Sequence, residues 1–361
     1  MRKIKLFKSE FYKNNLLLQV YWLMFICLLL LFSASKGIIT KEGFFLKQCL
    51  WIIFGTIACI FIKRVDYREH KRYAFIMYIG IIFLLVLVLL VGHGQASRWI
   101  RIGWFNFQPS EFAKLILIIA LSSYLAERNL KRANVFLISL FIVGIPFLLI
   151  LKQPNLGTAF IFLIISLGIF YRAGISKKQC FTLLITLVLL SPVLWFSMKG
   201  YQKERILTFL NPQRDPLGRG YNLLQSKITI GSGGLIGKGF LQGTQTKLAF
   251  LPEYHTDFIF CLLSEEFGFI GIVVLLGLYY FFLMSILKII SSTQERFAQL
   301  VGTGILTMFL FQFLINVGMA VGLFPVAGIP LPFISYGGSS LIVSLISVII
   351  LVNIRENSTM F

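Results

Sequence analysis

Glu253, His255 and Asp257 close the stretch LAFLPEYHTDFIF and stand directly before a long apolar run that begins at Phe258. A carboxylate in that place can cap the following helix, where the helix dipole favours its charge. It can also serve a polar cleft open to the outside. Cys261, Ser264, Glu265 and Gly268 follow at helical spacing, so one face of that helix is polar or small. Glu265 lies roughly 12 Å deeper than Asp257 at the usual helical rise. Ionisable groups at such depth normally face a bundle interior or a wet cavity, which turns the Asp257 face toward a cleft open to the outside. The chain has two other aspartates: Asp66 sits among lysines and arginines, and Asp215 precedes Pro216 in a turn cluster. Asp257 is therefore the aspartate that best suits a functional role.

Three further constellations carry polar chemistry. In ASRWIRIGWFNFQPSEFAKL, Arg98 and Arg101 lie three apart, as do Glu111 and Lys114. The second pair sits at helical spacing and reads as an intrahelical ion pair, although Lys114 and the two arginines would also suit a phosphate. In LKQPNLGTAF, Lys152, Gln153 and Asn155 surround Pro154 and form a polar helix start that can receive an anion or simply turn the chain. In SYGGSS, Ser335 to Ser340, hydroxyls and glycines serve either close backbone approach or helix packing.

The elements that must hold these residues are apolar. Of 361 residues 57% are hydrophobic and 13% charged, too few charges for a water-soluble surface. A span needs ~20 mostly apolar residues, and ten are expected: 15–34, 46–62, 73–91, 111–126, 133–151, 155–171, 179–197, 258–286, 298–322 and 336–353. The expected fold is an all-α polytopic membrane protein, a single domain over 1–361. The first run resembles a signal peptide but is long and is followed by other spans, so it reads as retained. With the N-terminus inside, the short inner segments carry 19 Lys and Arg and the short outer ones six, which sets both termini in the cytoplasm and Asp257 outside. The net charge of +20 is partly this topological signal, and no aromatic-interleaved basic domain offers itself to nucleic acid. Five cysteines fall in or beside spans without metal spacing and read as small hydrophobes.

Two stretches break the pattern. Residues 198–257 form a large outer loop between the seventh and eighth spans, with eight cations that suit an anionic ligand or an anionic lipid surface. Its apolar pieces and glycines suit interfacial helices joined by turns. Gly322 to Ser340 carries three prolines and reads as a tucked segment lining an outer cavity, because irregular backbone at membrane depth needs protein or water to satisfy it.

The motifs SRWIRIGWFNFQPSEFAKL, QPNLGTA, GSGGLIGKGFLQGTQTKLAFLPEYHTDFIFCLLSEEFGFIG and NVGMAVGLFPVAGIPLPFISYGGSSL resemble the shape, elongation, division and sporulation (SEDS) family from Arg98 to the C-terminus. GKGFLQGTQTKLAFLPE and the short N-terminal tail are more similar to its elongation branch than to its division branch. The resemblance implies a peptidoglycan glycosyltransferase that polymerises lipid II outside the cytoplasmic membrane. It also implies a class B penicillin-binding protein and membrane proteins of the elongation machinery as partners. The family's catalytic aspartate falls on Asp257, with His255 orienting the loop and Glu253 and Ser335 beside the substrate. An inverting displacement needs one base, while the departing pyrophosphate needs positive charge. Arg98, Arg101, Lys114, Lys152 and Lys238 are candidates for that charge, with Gln153 and Asn155 near them and Glu111 and Glu265 as structural partners. A divalent cation, Mg or Mn, would share the task, though no ligand cluster stands out. The family usually has aspartate where this chain has Asn155; the amide keeps a capping role and weakens one as base or metal ligand.

Two other classes compete. A flippase for the same lipid-linked precursor would carry polar groups through both leaflets, whereas the inner halves of these spans are almost wholly apolar. A non-catalytic scaffold would tolerate replacement of Asp257.

Overall fold

The computed structural model describes residues 2–36, 43–91, 98–102, 105–153, 155–198, 200–211, 219–248 and 250–358, with the side chains of 2–15, 101–102, 105, 190, 193–194, 197, 201, 219, 246–247 and 358 outside that set. The Arg101 side chain, Pro154 and Asp215, all named from the sequence, lie outside the described residues, as does Trp104.

Ten long helices carry the chain: α1 (Arg2–Ser35), α2 (Phe44–Lys63), α3 (Tyr67–Val91), α4 (Pro109–Ala126), α5 (Ala133–Lys152), α6 (Leu156–Ala173), α7 (Lys177–Ser197), α11 (Ile259–Ser292), α12 (Arg296–Val321) and α13 (Gly338–Ser358). Between α3 and α4 a small hairpin pairs β1 (Ile100–Ile102) with β2 (Phe105–Phe107) in antiparallel register. The segment between α7 and α11 folds into α8 (Gly200–Leu210), α9 (Arg219–Ser232) and the single turn α10 (Thr244–Lys247). Among the described residues nine helices are long and apolar enough to cross a membrane, and α7 is a further helix of 21 residues.

Burial separates the helices. Side chains of α4, α6, α12 and α13 are mostly buried, and α4 packs on α3, α6 and α12 while α13 packs on α2. Helices α2, α3 and α5 present one apolar face to the protein and expose the other, for example Phe75, Phe83 and Leu90 on α3. That exposed face belongs to lipid.

Helix α11 is interrupted at Gly268, whose φ of 63° and ψ of −158° leave the helical region. Only glycine takes that conformation without strain. The amides released by the break are satisfied by the loop: Phe269 N–H donates to the Gly234 carbonyl (3.0 Å) and Ile270 N–H to that of Leu235 (3.2 Å). A Cβ on Gly237 would strike the Glu266 carbonyl, so the glycine run lies directly against the broken helix. The segment after α12 is tucked in as its composition suggested. Ile329, Leu331, Phe333 and Ile334 are buried, and the Tyr279 hydroxyl donates to the Pro332 carbonyl.

Candidate active site

Asp257 does not cap α11. The N-cap position is Phe258, without a side-chain cap. The amides of Thr256, Asp257 and Phe258 instead converge on the Glu253 carbonyl at 3.1–3.2 Å, in a turn that holds Glu253 at a φ of 52°. This turn leaves the Asp257 carboxylate unused by the backbone, and among the described residues it makes no hydrogen bond. It faces Gly328, where a Cβ would stand 3.7 Å from Oδ2. Burial is the main reason its pKa is pushed up to about 6; the Glu253 carboxylate adds to the rise, while Arg205 and Arg98 oppose it.

The backbone around Asp257 is held from two sides. Asn316 Nδ2, fully buried on α12, donates to the Asp257 carbonyl (3.1 Å) and the Ile329 carbonyl (2.8 Å). Ser335 Oγ donates to the Thr256 carbonyl at 2.6 Å and accepts from Leu331 N–H at 2.8 Å, so its hydroxyl braces the site. The His255 ring stacks on Phe44 at 4.0 Å, its carbonyl accepts from Tyr336 N–H (3.0 Å), and Nε2 is 3.9 Å from Glu253 Oε2. These contacts fix the turn from α2 and the tucked segment.

The expected cations divide. Lys114 Nζ meets both Glu111 oxygens at 2.9 Å, and the two side chains are 2% and 5% exposed. Lys238 Nζ donates to Glu265 Oε1 (2.7 Å) and Thr244 Oγ1 (2.7 Å). Glu265 also accepts from the Thr244 and Gln245 amides at 2.8 and 2.9 Å, so it caps α10 and pins the loop to α11. Its depth reflects this buried lock, which corrects the inference of a wet cavity beside it. Lys152 is exposed, and Arg98 Nε donates to the Gln153 carbonyl at 3.2 Å. Gln153 is itself buried, with Nε2 on the Leu85 carbonyl. Asn155 is the N-cap of α6, its side chain accepting from Thr158 N–H at 3.3 Å.

Between α6, α8, α12 and residues 324–329 lies a cavity of about 320 Å³, walled in part by Ile329, whose carbonyl shares the Asn316 amide with that of Asp257. Its polar side chains are Gln202 and Arg205 of α8. Neither they nor Asn316 were singled out in the sequence. A lone Asn within the apolar α12 was a readable signal; one arginine among eight cations in the loop was not. Among the described residues no group of three or more His, Cys, Asp or Glu gathers as a metal site.

The sequence profile of the cell cycle protein family that comprises FtsW, RodA and SpoVE matches residues 13–360. The chain belongs to this family. Among family members, it is 37% identical to the peptidoglycan glycosyltransferase MrdB of Escherichia coli (strain K12), over 92% of this chain and 90% of that one. It is 36% identical to the probable peptidoglycan glycosyltransferase FtsW of Trichlorobacter lovleyi, over 97% and 94%. In structure it matches a chain of a peptidoglycan synthase complex described as coordinating polymerization and crosslinking, with a TM-score of 0.82, 29% identity and coverage of 96% and 98%. Identity alone does not divide the family's branches here.

Proposed function

We propose that the chain polymerises lipid II into glycan strands, with Asp257 as the general base, on the outer face of the bacterial cytoplasmic membrane during elongation. Peptidoglycan glycosyltransfer as the class of activity rests on family membership and on relatives 36–37% identical over at least nine-tenths of the chain. The observation that carries the mechanism is the Asp257 carboxylate: placed by a turn, unused as a cap and held near neutrality. A base poised near the working pH combines a useful charged fraction with proton affinity. In the reaction the acceptor's 4-hydroxyl loses its proton to Asp257 as its oxygen attacks the anomeric carbon of the donor, and the undecaprenyl pyrophosphate departs with the electron pair.

The positive-inside asymmetry supports cytoplasmic termini and an outward Asp257. The loop motif GKGFLQGTQTKLAFLPE supports the elongation branch. Kinship to a synthase complex supports a crosslinking partner, a class B penicillin-binding protein, among the membrane proteins of elongation. A divalent cation has no gathered ligand set among the described residues, and no step is assigned to it.

The test supplies lipid II to purified protein with its transpeptidase partner blocked by a β-lactam and follows glycan strands on gels. Wild type is expected to make strands and a well-folded Asp257→Asn variant to make none. Equal strands from both would remove Asp257 as base.

A further inference from the structure

Helix α2 faces lipid along most of its length, yet one stripe of it reaches the turn that bears Asp257. Leu46, Leu50, Ile53 and Phe54 are exposed, while Phe44 and Gln48 are buried. Phe44, Gln48 and Trp51 follow at i, i+4 and i+7, on one helical face. They meet three consecutive residues of the tucked segment. The Phe44 ring stands edge-on to that of Tyr336 at 5.2 Å, and Gln48 Oε1 accepts from Gly337 N–H at 3.3 Å. The Trp51 ring lies so close over Gly338 that a Cβ there would stand 2.2 Å from it. The same segment carries the turn, because Ser335 Oγ donates to the Thr256 carbonyl and Tyr336 N–H to that of His255. Gln48 is wholly buried, and among the described residues its Nε2 meets only Cys27 Sγ, at 3.7 Å. A thiol sulfur is a weak acceptor, so burial of this amide is poorly compensated. The Gly337 N–H, in turn, has no other acceptor among the described residues. The one good bond of Gln48 therefore holds a backbone amide two residues from the Ser335 brace.

We infer that Gln48 is a positioning residue for the transfer: through Gly337 it fixes the 335–338 segment, and through that segment the place of the Asp257 carboxylate. The inference rests on the reading of Asp257 as base and adds which helix sets its aim. The carboxylate makes no hydrogen bond among the described residues, so only the backbone of its turn directs it. That backbone hangs on Asn316 from α12 and on Ser335 and Tyr336 from the tucked segment. Of these supports, the second is clasped by α2. A base moved by about 1 Å from the hydroxyl it serves loses on the order of 100-fold in rate. Gln48 touches neither substrate nor base, and its effect passes through the chain.

The experiment compares the full chain with its Gln48→Leu and Gln48→Glu variants in two measurements: initial rates of strand synthesis from lipid II across pH, and hydrogen exchange at the Thr256, Asp257 and Phe258 amides. Gln48→Leu removes the acceptor while keeping an apolar side chain in the space. It is expected to lower kcat about 10- to 100-fold with KM kept, and to quicken exchange at the three amides. Its acidic limb is expected to move to lower pH, because a looser turn wets a carboxyl that burial raises. Gln48→Glu, neutral when buried, keeps a carbonyl oxygen for Gly337 and is expected to restore most of kcat. Leu50→Ala, on the lipid face of the same helix, is expected to keep the wild-type profile. A structural role alone would scale the whole profile down at an unmoved midpoint, with Gln48→Glu no better than Gln48→Leu, and that result would overturn the inference. Asp257→Asn separates the two ideas. If it makes no strands while Gln48→Leu matches wild type in rate and exchange, the clasp is lost and the base stands. If it still makes strands while exchange quickens in Gln48→Leu, the base is lost and Gln48 stands as the residue that holds the turn.

Discussion

At the scale of single residues, what Asp257 can do depends on its neighbours' charges. Its carboxyl is raised to about 6, chiefly by burial and further by Glu253. Below that pH it is protonated and cannot accept a proton, so strand synthesis is expected to rise with pH through a midpoint of about 6. Removing the like charge in Glu253→Gln should move that limb to lower pH, because the neighbouring carboxylate raises the pKa. A pH series of initial rates with both proteins measures it, and an unmoved limb would detach Glu253 from the base. The type and place of Asp257 were legible in the sequence, because a lone aspartate before a span stands out. Its freedom from capping was not, since that depends on Glu253 adopting a positive φ that no residue pattern announces. The fate of the lysines was hidden for a similar reason. Lys238 and Glu265 are 27 residues apart and meet only through the fold, whereas Glu111 and Lys114, three apart on one helix, could be paired by spacing alone.

At the scale of elements, two buried devices hold the site's surroundings. The Glu111–Lys114 pair lies in the first turns of α4, and its two members neutralise one another out of water. Lys114→Met leaves Glu111 buried without its partner and is expected to destabilise by about 3–5 kcal/mol. The double change Glu111→Leu with Lys114→Met should recover most of that loss; thermal unfolding in detergent distinguishes the two. The second device is the break in α11. Gly268→Ala places a Cβ against the Gly237 amide in a conformation that L-residues avoid, at a cost of about 1–3 kcal/mol. The expected readout is faster proteolysis within residues 233–248, the segment that the break anchors. Helical periodicity read through Gly268 without a gap, because a glycine within an apolar run looks the same whether the helix continues or turns. The helical pieces of the 198–257 segment were legible from its apolar content, but their docking on α11 was not.

At the scale of the molecule, the buried group of α4, α6, α12 and α13 and the half-exposed α2, α3 and α5 describe a bundle whose outer helices meet lipid. The span pattern was readable because crossing a membrane demands a length and a composition that few other roles impose. Orientation gives the prediction at this scale. In a cysteine-free background, a cysteine placed at Glu253 should react with an impermeant maleimide added to intact cells stripped of their outer barrier. One placed at Arg128, in the exposed loop between α4 and α5, should react only after lysis. The reverse pattern would turn the molecule over and remove the proposed outer site.

The broken helix also bears on how the chain is made. Residues 233–239 leave the ribosome before α11 does, yet their carbonyls are the acceptors for the Phe269 and Ile270 amides. Until the two segments meet, a newly inserted α11 either closes Gly268 into a continuous helix or holds two bare amides in hydrocarbon, where each is costly. The continuous form is the cheaper one for a nascent chain. The opening of α11 therefore depends on the glycine run upstream of it, whose Gly234 and Leu235 carbonyls give the two amides the partners that hydrocarbon would deny them.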